Sequence, residues 1–217
     1  MNTISNRYFE SRFCPDAKRA AVWQVICDYL QPFIAPESCV LDLGAGYCSF
    51  INHVRARERH ALDLFPGLGE YAHADVQTHV GSCDNLTLFS AHYFDVVLAS
   101  NLLEHLTREA VANTLSEVRR VLKPSGRLIV IQPNFRYCFR EYFDDYTHLL
   151  VFTDVTLVDL LSASGFHVER VEPRFLPTSM KSRLPKWPWM VRLYLKSPLR
   201  PFAGQMLVIC HPSNPGR

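Results

Sequence analysis

No acidic residue follows Glu172 in this chain of 217 residues, and no two of its seven cysteines form a CxxC pair. No segment approaches the roughly 20 consecutive apolar residues that a membrane-spanning helix needs. MNTISNRYFESRF at the start lacks the apolar core of a signal peptide. The missing cysteine pair argues against a thiolate metal centre and a disulfide framework, so the cysteines at 14, 27, 39, 48, 83, 138 and 210 are expected to be reduced and mostly buried, with no metal site. The other two absences make the cytoplasm the expected location. Internal repeats and low-complexity tracts are also missing, which leaves one ordinary globular unit.

The absence of late acids makes the charge lopsided. All 21 Asp and Glu lie at or before Glu172, whereas eight of the 23 Lys and Arg follow it, so the two parts should face different things. With 48% hydrophobic and 12% aromatic residues, the chain can build one α/β domain with a substantial core spanning 1–217.

A helix after Pro15 carries Trp23, Ile26, Cys27 and Leu30 at helical spacing until Pro32 ends it, giving an N-terminal covering element within 1–34. The runs SCVLDL, HALDL, FDVVLA and GRLIVIQ follow, apolar throughout as central parallel strands are. The clearest intervening helix spans Thr107 to Lys123, with Val111, Leu115, Val118 and Leu122 on one face and KPSG as its stop. A further helix from Thr153 to Ser164 ends at Gly165. FHVERVEPRF and GQMLVIC then read as two strands with no crossover helix between them, separated by a basic aromatic insert over 176–203. This alternation predicts a doubly wound, Rossmann-like sheet of seven strands, mostly parallel, with an antiparallel terminal pair.

VLDLGAGYCS, from Val40 to Ser49, is an apolar strand entering a glycine turn, and Asp63 in HALDLF closes the next strand. Such a turn lets backbone amides approach a ligand, and a carboxylate at the second strand's end can take two ribose hydroxyls. HADV, FDVVLASNLLEHL and LKPSGRLIVIQPN follow in order. Together these motifs resemble the class I S-adenosylmethionine-dependent methyltransferases of the type 11 group, which act on small molecules and glycans, over roughly residues 35 to 175 plus the final strand. The resemblance implies S-adenosylmethionine as cofactor, with Asp42, Gly44, Ala45 and Gly46 in the first motif and Asp63 with Leu64 at the ribose. It implies Asp75 and Val76 at the adenine, and Ser100 and Asn101 beside the methionine part. Cys48 stands where that family carries a third glycine. Glu104 and His105 open the next helix, where a role in the helix start or in packing is favoured.

Methyl transfer from a sulfonium needs alignment and, for a hydroxyl acceptor, a route for the proton. The loop NFRYCFREYFDDYTHLLVFT follows the fifth strand, where this type of fold faces its crevice. His148 is the candidate base, with Asp144 or Asp145 as the carboxylate that orients it, against the plainer reading that His148 hydrogen-bonds backbone and Asp144 caps a turn. The expected partner is a small-molecule, sugar or lipid-linked glycan acceptor.

Within KSRLPKWPWMVRLYLKSPLRP six cations alternate with aromatic and aliphatic residues. That pattern suits peripheral contact with an anionic membrane through 181–201, a nucleic-acid surface, or a lid whose charges are solvated. ASNLLEHL lacks the Asn/Asp-Pro-Pro-aromatic signature of nucleic-acid amino methyltransferases, which argues against nucleic acid as partner. A nicotinamide-dependent reductase is the rival enzyme class, opposed by Ser49 at its third fingerprint position and by the missing Tyr-x-x-x-Lys pair. A cofactor-binding protein without catalysis is the remaining alternative.

Overall fold

The computed structural model describes residues 17–177 and 187–213. Seven strands form one sheet: Cys39–Leu43 (β1), Glu58–Asp63 (β2), Gln77–Val80 (β3), Phe94–Ser100 (β4), Leu122–Pro133 (β5), Phe166–Glu172 (β6) and Gln205–Pro212 (β7). Their order across the sheet is β3-β2-β1-β4-β5-β7-β6. The first five run parallel, and β7 lies antiparallel to both β5 and β6. The sheet is therefore the doubly wound arrangement with an antiparallel end that the pattern predicts. Strand order reverses between β1 and β4, which opens a crevice beyond their C-terminal ends.

Every residue of β1 is buried, because helices and turns cover both faces of the sheet. One face carries helix α1 (Ala17–Leu30), whose Trp23, Ile26, Cys27 and Leu30 pack with Val40, Val96, Ile129 and Ile209. Helix α2 (Arg108–Val121) covers the other, with Val111, Leu115 and Val118 against Leu41, Val97, Leu128 and Val208. Thr107 caps α2 by accepting from the Ala110 N–H, which satisfies one amide left over at the helix start. The short α3 (Phe135–Cys138) follows β5. Thr153 and Thr156 form a capping box at the start of α4 (Asp154–Ala163), and Gly165, at φ +82°, supplies the left-handed turn beyond its end.

Two elements differ from expectation. KPSG does not lie outside the fifth strand but inside β5, where pairing shifts between Phe94 and Val96. The strand absorbs the extra residues as a bulge. The strand β3, QTHV, was not among the apolar runs, because it is an edge strand with three of its four residues exposed. Hydrophobic pattern carries little signal in such a strand.

Helix α5 (Pro188–Lys196) lies within the basic insert and packs by Leu195 on the α1 side. Its charges are partly consumed internally: Arg192 pairs with Asp28 at 3.0 Å, and Arg200 pairs with Glu172. Tyr29 also donates to Glu172, at 2.6 Å, so α1, β6 and the insert meet at one carboxylate. The six described cysteines are buried and unbridged, as expected, and Cys14 lies outside the described residues.

Candidate functional site

The turn after β1 is shaped by backbone conformation first. Gly44 has φ +74°, which strains any other residue, and a Cβ there would also push on Leu102 Cδ1 at 2.9 Å, the movable end of a side chain. Gly44 and Ala45 donate to the Leu62 carbonyl at 2.8 and 3.1 Å, which holds the turn against β2. Gly46 has φ +51°, and Cys48 adopts φ 56°, the conformation a glycine would take there at less cost. Cys48 thus keeps the backbone path of a three-glycine turn while burying its thiol completely.

Asp63 links this turn to the end of β2. Its carboxylate accepts from the Gly46 N–H at 2.8 Å and from the Phe65 N–H at 2.9 Å. A carboxylate has about four acceptor sites, so two remain for ribose hydroxyls. Leu64 beside it is half exposed at 49%. Asp42 instead lies under the turn, with 3% of its surface exposed. Burial, reinforced by the nearby Asp63 charge, pushes its carboxyl up to about 8, against the opposing hydrogen bond from the Ile51 backbone. Its place is that of a support for the loop.

The adenine position needs a correction. Asp75 and Val76 precede β3, and the register pairs Asp63 with Val80 at the strand's far end. Asp75 is 69% exposed and ion-paired with Arg59 near the start of β2, and Val76 is buried in the core. Both lie at the end of the sheet away from the crevice. The residues that emerge beside Asp63 are Gly81, which donates to the Asp63 carbonyl at 2.9 Å, and then Ser82, Cys83 and Asp84, with the Ser82 hydroxyl donating to Asp84. β3 begins two residues later than the motif suggests, so these residues, and not Asp75 and Val76, lie at the crevice end of the strand.

Ser100 closes β4 and Asn101 follows it in the turn beyond. Asn101 has φ 50°, donates its backbone N–H to Ile131 O at 2.8 Å and accepts from Gln205 Nε2 at 2.7 Å.

The loop from β5 brings His148 to the turn that follows β4. His148 Nδ1 lies 2.6 Å from the Tyr142 carbonyl, so the group fixing the ring on that side is backbone. Asp145 accepts from the Thr147 N–H at 3.1 Å and from the Thr147 hydroxyl at 2.7 Å, and that hydroxyl lies 2.9 Å from His105 Nδ1. Asp145 therefore orients His105 through Thr147. Asp144 lies in a 3-10 turn, Tyr142–Asp144, its N–H donating to Glu141 O at 3.1 Å.

His105 and His148 are neighbours, their ring centroids 4.9 Å apart. Glu104 completes the group: ligand-type atoms of Glu104, His105 and His148 lie within 4.8 Å of one another. Its main-chain carbonyl accepts from Leu149 and Leu150, pinning the two loops together. The side chain is fully buried, and that burial raises its carboxyl to about 8. The Glu-His pair was visible in LLEHL, but the third member is distant in sequence and only the folded loop brings it near.

The family described as Methyltransferase domain matches residues 41–130, which covers β1 through β5. A reducing polyketide synthase of Aspergillus oryzae is 32% identical over 149 residues, 59% of this chain and 6% of that protein. The chain spans less than half the length of the curated relatives it matches. Among solved structures, a SAM-dependent methyltransferase from Archaeoglobus fulgidus superposes with a TM-score of 0.65 at 19% identity, covering 87% of this chain and 94% of that one. The Burkholderia thailandensis 1,6-didemethyltoxoflavin-N1-methyltransferase, seen with S-adenosylhomocysteine, gives 0.59 at 18% identity, covering 97% and 84%. The glycine turn, the Asp63 carboxylate and the 3-2-1-4-5-7-6 sheet agree with these likenesses: residues 41–130 match the type 11 methyltransferase domain, and the sheet is the fold of class I S-adenosylmethionine-dependent methyltransferases.

Proposed function

We propose that this protein transfers a methyl group from S-adenosylmethionine to a hydroxyl of a small molecule, sugar or lipid-linked glycan. The observation that carries the reading is the separation of two kinds of chemistry along one crevice. Asp63 and the Gly44–Gly46 turn stand at the β1 and β2 ends, while the imidazoles of His105 and His148 stand between the β4 turn and the β5 loop.

Bound S-adenosylmethionine supplies an electrophilic methyl group on a sulfonium. Asp63 holds the ribose, Ser82 and Asp84 take the adenine edge, and Asn101 lines the methionine side. His148, its Nδ1–H held by the Tyr142 carbonyl, keeps a lone pair on Nε2 to accept the acceptor's proton. Among the aromatic residues of that loop, Tyr142 is buried packing, whereas Phe143 is 60% exposed and available to an acceptor.

Calorimetric titration with S-adenosylmethionine, S-adenosylhomocysteine and NADH, followed by transfer of labelled methyl to a panel of sugars and lipid-linked glycans, tests this. Micromolar binding of the first two and label in an acceptor's hydroxyl support it. Binding of NADH alone points to a reductase, and cofactor binding without transfer to any class of acceptor points to a non-catalytic role.

Peripheral contact with an anionic membrane is supported by one surface. Trp187 and Trp189 stack with centroids 6.1 Å apart, and both rings, with Leu193, Leu199 and Phe202, are more than half exposed. Of the described cations there, Arg192 and Lys196 are exposed, Arg192 and Arg200 are ion-paired, and Lys181, Arg183 and Lys186 lie outside the described residues. No described helix is long and apolar enough to cross a membrane. Sedimentation with anionic vesicles should show binding that salt weakens and that Trp187→Ala with Trp189→Ala abolishes. Equal recovery with neutral vesicles, or none at all, removes the membrane from the reading.

A further inference from the structure

The cluster formed by Glu104, His105 and His148 has a property that a proton relay leaves unexplained. Both carboxylate oxygens of Glu104 are buried and, among the described residues, neither has a hydrogen-bond partner. Leaving one buried acceptor unsatisfied costs about 1–3 kcal/mol, more for a charged group. If Glu104 simply oriented an imidazole, it would accept that ring's N–H.

The tautomers explain why it does not. The Thr147 hydroxyl donates its proton to Asp145 at 2.7 Å, so it must accept from His105 Nδ1–H. His148 Nδ1 faces the Tyr142 carbonyl, which has no proton, so it too must donate. Each neutral ring then bears its lone pair on Nε2. One ligand-type atom from each of the two imidazoles and the buried carboxylate lies within 4.8 Å of the others, close enough to share one ion.

Metal-binding histidines characteristically donate their other N–H to a carbonyl or another oxygen acceptor, fixing tautomer and direction. Both rings here are held in that way. Two imidazoles and a carboxylate suit a divalent first-row ion such as zinc, with positions left for substrate. The sequence's lack of a cysteine pair bears on thiolate sites only and leaves this donor set untouched.

We infer that Glu104, His105 and His148 bind one divalent transition-metal ion, and that this ion receives the acceptor's oxygen. The inference rests on the proposed reading of this end of the crevice as the acceptor site. Coordination lowers the pKa of a bound hydroxyl, whose proton passes to water while the electron pair stays on oxygen. His148 is then a ligand in the loaded protein, and the base role belongs to the metal-free form. Metal entry displaces any proton held by Glu104.

The test uses the full chain stripped by chelation, titrated with Zn²⁺ by calorimetry and with Co²⁺ by visible absorption. S-adenosylmethionine affinity is measured in parallel as a check on the fold. One ion per chain is expected, with the strong visible bands of a low-coordinate cobalt site. Glu104→Gln, nearly isosteric, and His148→Ala should each weaken metal binding by about 100-fold or more, beyond the 10–100-fold typical of outer-shell losses, while cofactor affinity stays unchanged. Absence of stoichiometric metal binding in the parent, or unchanged affinity in both variants, overturns the inference and leaves the metal-free base standing. Metal binding that is lost in the variants, together with no effect of the ion on methyl transfer, keeps the site and refutes the ion's contact with the acceptor.

Discussion

Gln205, the first residue of β7, donates from Nε2 to Asn101 Oδ1 at 2.7 Å, joining the last strand to the turn after β4. Asn101 sits at φ 50°, a conformation that costs a non-glycine residue about 1–2 kcal/mol and that asparagine tolerates better than most. The antiparallel end of the sheet thus braces the turn after β4, which the proposed function places beside the methionine part of the cofactor. Gln205→Leu should cost about 1–2 kcal/mol of stability, measured by denaturant titration, and weaken S-adenosylmethionine binding several-fold. In the double variant with Asn101→Gly, part of that stability should return, because glycine reaches φ 50° without a brace. Simple additivity of the two changes would show that the hydrogen bond does not hold the turn.

Asp63 holds the loop through Gly46 and Phe65 and, in the proposed function, the ribose as well. Asp63→Ala removes two hydrogen bonds to a charged acceptor, each worth about 1.5–3 kcal/mol. S-adenosylmethionine affinity should fall by about 100-fold in calorimetry, and Asp63→Asn should retain more of it than alanine does, since one oxygen remains. Equal affinity in parent and alanine variant would remove Asp63 from the site.

Asp42 imposes a pH dependence whose sign can be worked out. Its carboxyl titrates near 3.8 when exposed and is raised to about 8 in the fold, mainly by burial. Between those values the unfolded chain has released the proton that the folded chain keeps. This contribution is therefore full below about 3.8, declines as the pH rises towards 8, and is flat above, with a slope of at most about 1.4 kcal/mol per pH unit. Denaturant melts of Asp42→Asn across this range should lose that part of the slope. A variant whose stability falls with pH as steeply as the parent's would contradict the assignment.

Cys48 offers a test of the motif's departure from glycine. Cys48→Gly relieves about 1–2 kcal/mol of left-handed strain but loses a fully buried side chain and adds backbone freedom to the unfolded chain. Thermal melts should show a net change within about 1 kcal/mol, since these effects oppose each other. Cys48→Val adds a branch at the same positive φ and should destabilise by about 2 kcal/mol or more. A neutral valine variant would mean that the turn is not confined as described.

Sequence by itself determined the elements whose information is local. The run VLDL suited a strand buried on both faces, Thr107 and Thr153 marked two helix starts, and Gly44 and Asp63 marked the turn after β1 and the end of β2. Each of these depends on neighbours a few residues away or on a strand turning into a loop. Tertiary structure alone decided the rest. The polar edge strand β3 has no hydrophobic period to read, so its true position, which takes Asp75 away from the crevice and brings Ser82 and Asp84 to it, came only from its pairing with β2. The meeting of Glu104 and His105 with His148 likewise depends on two loops held together through main-chain hydrogen bonds from Leu149 and Leu150 to Glu104. Backbone pairing between distant segments leaves no mark in side-chain periodicity, and the chemistry of this site is assembled by such pairings.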